Sequence, residues 1–239
     1  MAKIRLFIDH PLAQGQGVGL NPDQAHYLSA VMRQAPGAEI LVFNGRDGEW
    51  LARIERLAKR QGALTALRQT APQLDPPDLW LLFAPIKKAR TDFIVEKAAE
   101  MGAARILPVQ TDHTNAERIR QDRLQAHAVE AAEQCGGTFV PQVGDLAPLP
   151  RLLDGWDGAR RILWADEALA GPAQVLSALP PGPWAILIGP EGGWSEAERH
   201  RLSAMDCVTP VALGPRILRA DTAAVASMAL WQAALGDWH

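Results

Sequence analysis

Cysteine is almost missing from this chain: Cys135 and Cys207 are the only two among 239 residues. Neither belongs to a CxxC pair, which excludes a zinc ribbon or a dithiol redox motif and suits a reducing compartment. The six histidines are scattered, without an HxxxH or HExxH spacing, so no metal site is expected. No uninterrupted apolar run approaches the length of a membrane span, which argues against a membrane protein. The N-terminal stretch meets Asp9 after only a few apolar residues, unlike a secretory signal, and a cytoplasmic location is expected. The phosphate-binding signatures GxGxxG and GxxxxGK[S/T] are also missing, which disfavours a nicotinamide or ATP enzyme. A net charge of −3 argues against a protein that coats nucleic acid non-specifically.

What is present is the composition of a globular protein, with 48% apolar and 21% charged residues in a length comfortable for two domains. Charge is uneven: residues 1–70 carry a net +3 and the remainder a net −6. The clearest boundary is the segment 72–78, with prolines at 72, 76 and 77, which continues neither a helix nor a central strand. We therefore expect a domain over residues 1–72, a linker over 73–78 and a second domain over 79–239. The first reads as mostly strand. Runs at 4–8, 39–43, 49–54 and 63–68 alternate, a turn at Asn44-Gly45-Arg46-Asp47-Gly48 joins two of them, and Asn21-Pro22-Asp23-Gln24 opens a helix with a capping box. The second alternates continuous apolar strands (79–84, 105–109, 161–165, 184–188, 208–213) with helices expected over 91–101, 115–135 and 223–235. Leu124, Ala128, Ala131 and Cys135 are expected to face inward from the second of these helices. The pattern predicts an α/β fold with a buried parallel sheet and helices on both faces.

Two glycine-containing loops follow buried strands. The first, Leu187-Ile188-Gly189-Pro190-Glu191-Gly192-Gly193, runs into a helix that Ser195 and Glu198 cap. Ligands of open α/β sheets bind outside the carboxyl ends of the strands, and glycine lets backbone approach them closely. The second, Leu213-Gly214-Pro215-Arg216-Ile217-Leu218-Arg219, places two arginines at a strand's carboxyl end, where an anionic partner is suited; Asp221 or Thr222 is expected to cap the last helix. That helix is apolar nearly all round and is expected to be buried all round, most simply in a dimer interface. Lys87, Lys88 and Arg90 stand after the first strand of the second domain as candidate contacts to RNA phosphates; a solvated charged face is the alternative.

The ordered set Lys87-Lys88, Asp92, Glu96-Lys97, Glu100-Met101-Gly102, Pro108-Val109-Gln110-Thr111, Glu130-Ala131-Ala132-Glu133-Gln134, Gly189–Gly193 and Leu213–Arg219 resembles one family. It is similar to the ribosomal small-subunit methyltransferase E family of the SPOUT superfamily, and Arg5-Leu6-Phe7, His26-Tyr27-Leu28, Val31-Met32-Arg33 and Gly48-Glu49-Trp50 agree with it as well. The resemblance implies a PUA-like N-terminal RNA-binding barrel, a trefoil-knotted α/β domain, a homodimer, and methylation of uridine N3 in 16S ribosomal RNA with S-adenosylmethionine (AdoMet). It implies cofactor contacts at Leu187, Ile188, Gly189, Pro190, Glu191, Gly192, Gly193, Leu213, Gly214, Ile217, Leu218 and Arg219. Arg5 and Arg33 join Lys87, Lys88 and Arg90 as candidate RNA contacts. Two positions depart from the family pattern: Gly137 stands where an arginine is expected, and Ala220-Asp221 where Thr-Glu is usual.

Uridine N3 carries a proton and is a poor nucleophile until that proton leaves. A cation beside the base would stabilise the charge that develops, and Arg219 is the candidate, with Arg5 as its candidate helper. Glu191 and Asp221 are candidates for a general base or for shaping the loops. The competing readings are a SPOUT methyltransferase acting on another RNA and a non-catalytic RNA-binding ribosome-assembly protein.

Overall fold

The computed structural model describes residues 4–169, 176 and 179–238. They divide into two compact units: residues 1–75 with 132–140, and residues 76–131 with 141–239.

The first unit is a five-stranded sheet in the order β1-β3-β4-β5-β2, with β1 Arg5–Phe7, β2 Gly17–Leu20, β3 Glu39–Phe43, β4 Glu49–Ala58 and β5 Gln61–Ala71. β1 runs parallel to β3 and the other pairings are antiparallel. Alternation along the strands sends Ile40, Val42, Ile54, Leu64 and Ala66 into one core with Leu28. The turn expected at 44–48 is present and joins β3 to β4. Asn44 Oδ1 holds it by accepting from the amides of Arg46 and Asp47. Helix α1 (Pro22–His26) begins as expected, with the reciprocal Asn21–Gln24 capping box, and then widens into a π-helical turn over Tyr27–Val31.

The second unit carries a parallel sheet in the order β12-β10-β11-β6-β7-β8, with β9 pairing on β7. Its strands are β6 Leu79–Phe83, β7 Arg105–Gln110, β8 Gln142–Val143, β9 Ala147–Pro148, β10 Arg161–Ala165, β11 Trp184–Ile188 and β12 Val208–Val211. Every residue of β11 is buried, as expected of a strand covered on both faces. The helices are α2 Lys88–Glu100, α3 Gln121–Cys135, α4 Leu149–Asp154, α5 Glu196–Ser203 and α6 Ala220–Leu235. α6 packs on α2 and β11, and Gln232, fully buried, ties it to the end of α2 by donating to the Met101 carbonyl at 2.7 Å. The α/β fold class with a separate N-terminal β domain is therefore the one found.

Several expectations are corrected. The helix expected over 115–135 starts only at Gln121; residues 115–120 are irregular, and no buried apolar stripe holds them. Cys135 is exposed, not inward, because the helix ends there. Helix α6 begins earlier than expected. Its N-cap is Arg219, without a side-chain cap bond, so Asp221 and Thr222 lie in its first turn. Within the single chain α6 leaves Leu230 exposed and Val225, Ala226 and Ala229 half-buried, so the burial all round expected from a second subunit is not supplied by this chain itself. Among the described residues no helix is long and apolar enough to cross a membrane.

Candidate active site

The sheet order reverses between β6 and β11: β7 and β8 lie to one side, β10 and β12 to the other. Outside the carboxyl ends of the strands there, where such sheets bind ligands, a cavity of about 470 Å³ opens. Four segments wall it: Ala165–Glu167 with Leu169 at the end of β10, Ile188–Glu191 with Gly193 at the end of β11, Val211 and Leu213–Ala220 with Ala223 around the loop after β12, and Lys87 with Arg90 at the start of α2.

The loop after β11 is shaped by close approach. A Cβ on Gly189 would stand 2.8 Å from the Trp194 indole, and one on Gly193 would stand 2.5 Å from Glu167 Oε1. Gly193 also has φ +72°, a backbone region costly to side-chain-bearing residues. Trp194 is buried, packs edge-to-face on Trp164 and donates through Nε1 to the Ala165 carbonyl at 3.4 Å. Two residues after β7 latch the loop from outside. His113 Nδ1 donates to the carbonyls of Gly192 and Gly193, each at 3.1 Å, and Asp112 Oδ2 accepts from Ser195 Oγ. The expected capping box is present: Ser195 and Glu198 exchange bonds at the start of α5, and Glu198 Oε1 also accepts from the Asp112 amide at 2.9 Å.

Charge in the cavity is arranged in pairs. Arg199, from α5, binds Asp166 and Glu167 together. Arg90 binds Glu191 at 2.9 Å and stands 3.6 Å from Asp221. Arg216 and Arg219 line the rim with exposed side chains, and Ile217 between them is 79% exposed.

The structure thus brings together Ile188, Gly189, Pro190, Glu191, Gly193, Leu213, Gly214, Ile217, Leu218, Arg219 and Asp221's first helical turn. Leu187 is buried in the core below, and Gly192 faces His113 rather than the cavity. Arg90, expected to hold RNA phosphates, is occupied by two carboxylates. Lys87 lines this cavity, whereas Lys88 lines a second one. Arg33, at φ 51°, lines neither.

Arg5 is a correction. Its side chain is only 10% exposed; it pairs with Glu49 at 2.7 Å and donates to the carbonyls of Ala132, Glu133 and Gly137. Ala132 and Glu133 stand in the last turn of α3 and Gly137 just beyond it, where helix carbonyls run out of intrahelical donors, so Arg5 works as a helix C-cap and has little capacity left for RNA. Gly137 takes part through that carbonyl and lines neither cavity.

Sequence reading missed Asp166, Glu167 and Arg199. The rule that ligands gather at strand carboxyl ends would have pointed to Asp166-Glu167, which directly follow β10. Among the described residues no three His, Cys, Asp or Glu side chains come together as a metal cage.

A catalytic α/β unit with its cavity at the sheet's reversal, after a small β domain, defines the class, and the comparisons agree. The RNA methyltransferase domain model matches residues 73–232, and the RNA methyltransferase PUA domain model matches residues 20–66. The chain belongs to the ribosomal RNA small subunit methyltransferase E family. It is 28% identical to that family's protein from Rickettsia conorii, over 94% of this chain and 93% of the relative. It is 30% identical to the protein from Synechocystis sp., over 89% and 71%. The crystal structure of the family's enzyme from Neisseria gonorrhoeae bound to S-adenosyl methionine superimposes with a TM-score of 0.89 over all of both chains, at 29% identity.

Proposed function

We propose that this protein methylates N3 of a uridine in 16S ribosomal RNA, using AdoMet, as a cytoplasmic homodimer. The observation that carries the reading is the composition of the 470 Å³ cavity: apolar walls, loop backbone brought close by glycine, carboxylates on its sides and arginines at its rim.

The residues present fit AdoMet. Ala165, Ile188, Val211 and Leu218 supply apolar surface for a purine, and the loop after β11 supplies backbone donors and acceptors for its edge. Asp166, Glu167 and Glu191 suit a ligand carrying an ammonium and a sulfonium. When bound, AdoMet supplies an electrophilic methyl group on sulfur.

The chain's own work is to place the acceptor nitrogen in line, exclude water and stabilise charge on the base. We assign the last task to Arg219. It is the residue at which the loop after β12 turns into α6, and its side chain is exposed on the cavity's rim. An arginine there stabilises the negative charge that grows on the uracil carbonyls as the N3 proton leaves. Glu191 and Asp221, paired to Arg90, hold the two loops and α2 in register. The base must be unpaired or flipped to expose N3. The partly exposed face of α6 around Leu230 is the surface a second copy would cover, and the trefoil knot implied by the family is part of the same reading.

The test is transfer of labelled methyl from AdoMet to small ribosomal subunits lacking the modification, followed by nucleoside analysis. We expect 3-methyluridine. A different methylated nucleoside would overturn the N3 assignment, and no transfer would overturn the catalytic reading.

A further inference from the structure

Beside the first cavity lies a second, of about 380 Å³, at the starts of α2 and α3. Four cations wall it: Lys88, Arg118, Arg120 and Arg123, with Asp92 as the one acidic wall residue. Two are held in place. Arg123 pairs with Asp92 at 2.8 Å, and Asp92, 8% exposed, is also 3.6 Å from His127. Arg120 forms a two-bond fork with Asp122, which lies outside the wall. The other two, Lys88 and Arg118, are exposed and make no ion pair among the described residues. With Arg123 and Arg120 matched by Asp92 and Asp122, the recess keeps the two unmatched positive charges of Lys88 and Arg118, a surplus that suits an anion.

Its position identifies the anion's class. Lys87 lines the first cavity and Lys88 the second, and consecutive Cα atoms lie about 3.8 Å apart. The Thr91 side chain fixes this turn through bonds to the amide and carbonyl of Ile86, each 3.0 Å. The two cavities therefore share the Lys87–Lys88 turn. α2 adds to the attraction, since its first turn contains no acidic residue.

We infer that the recess formed by Lys88, Arg118, Arg120 and Arg123 binds a backbone phosphate of the RNA substrate next to the methylated nucleotide. The inference rests on the RNA-methylation reading above and adds a subsite to it.

The variant that tests it is Lys88→Ala with Arg118→Ala, because neither residue supports another. Affinity for a fluorescent fragment of the target RNA is read by anisotropy at several salt concentrations, which needs no turnover; methyl transfer and AdoMet binding are measured alongside. Two lost phosphate contacts should raise Kd and KM for RNA roughly tenfold and flatten the log–log salt slope by about 1.4–1.8. AdoMet affinity and kcat should stay as in the parent, and Lys88→Arg with Arg118→Lys should restore most of the loss. Unchanged RNA affinity and slope would overturn the inference. So would a change of oligomeric state with unaltered RNA affinity, which would assign the recess to a subunit contact. Failure of the parent protein to form 3-methyluridine counts against the proposed reaction alone, because the anisotropy result stands without it.

Discussion

Arg90 and Glu191 meet at 2.9 Å, joining the start of α2 to the glycine loop after β11, and the same guanidinium reaches within 3.6 Å of Asp221. Both carboxylates that sequence offers as general bases are therefore turned toward one arginine. A base needs a lone pair open to the substrate, and here part of each is taken. Glu191→Gln and Asp221→Asn are expected to lower single-turnover methyl transfer by no more than about tenfold, against the 10²–10⁴-fold typical of losing a general base. A fall of the larger size in either variant would make that carboxylate the base.

Gly193 faces Glu167, and Glu167 is itself bound by Arg199. Gly193→Ala has to shift a side chain whose partner is fixed, and it adds left-handed backbone strain of about 1–3 kcal/mol. We expect AdoMet affinity measured by calorimetry to drop roughly tenfold while the circular dichroism spectrum is preserved, since a cost of about 1.4 kcal/mol is a factor of ten in an equilibrium constant.

Much of this was legible in the residues. Strands β10 and β11 fall at their expected bounds because continuous apolar runs flanked by turns leave little freedom of register. The capping boxes at Asn21 and Ser195 were equally legible, being local chemistry. What failed depends on distant partners. Nothing near Arg5 in the sequence foretells that it closes the end of α3, more than 120 residues away. Arg90 looked like a free cation because Glu191 lies 101 positions further on. The irregular segment 115–120 contains helix-compatible residues, but no apolar stripe docks it.

Asp47 gives the N-terminal unit a pH signature. The Leu12 amide donates to its carboxylate at 2.9 Å and Asn44 at 2.6 Å, and these bonds hold its pKa below the ordinary 3.8. A depressed folded pKa means that the stabilisation is present above the unfolded value and is lost as pH falls through the folded one. Asp47→Asn should lower the urea midpoint at neutral pH. The gap to the parent should begin to narrow near pH 4, where the unfolded-state carboxyl protonates, and close only as pH falls through the lower folded value. A gap independent of pH would show that packing, not charge, accounts for it.

Arg5→Ala tests the capping role. It strips three carbonyls of a donor and leaves Glu49, 14% exposed, without its cation. Breaking a largely buried pair this way costs about 3–5 kcal/mol. The unfolding midpoint should fall clearly, and Arg5→Lys should recover only part of it, because an ammonium cannot reproduce the planar fork that reaches Glu49 and the helix end together.

Arg219 carries the catalytic proposal and gives its sharpest test. Its backbone starts α6 and its side chain makes no cap bond, so Arg219→Ala should leave the helix and the cavity walls in place. Removing one donor aimed at developing charge typically costs about 10²–10³ in kcat. We expect a loss of that size, with AdoMet binding close to the parent's and KM for RNA little changed. Arg219→Lys should recover a fraction of the rate by keeping the charge while losing the two-pronged geometry. Rapid-quench measurement of the methyl-transfer step separates chemistry from product release. If that step runs at the parent's rate in Arg219→Ala, charge on the base is stabilised elsewhere, and Arg216, exposed on the same rim, is the next residue to substitute.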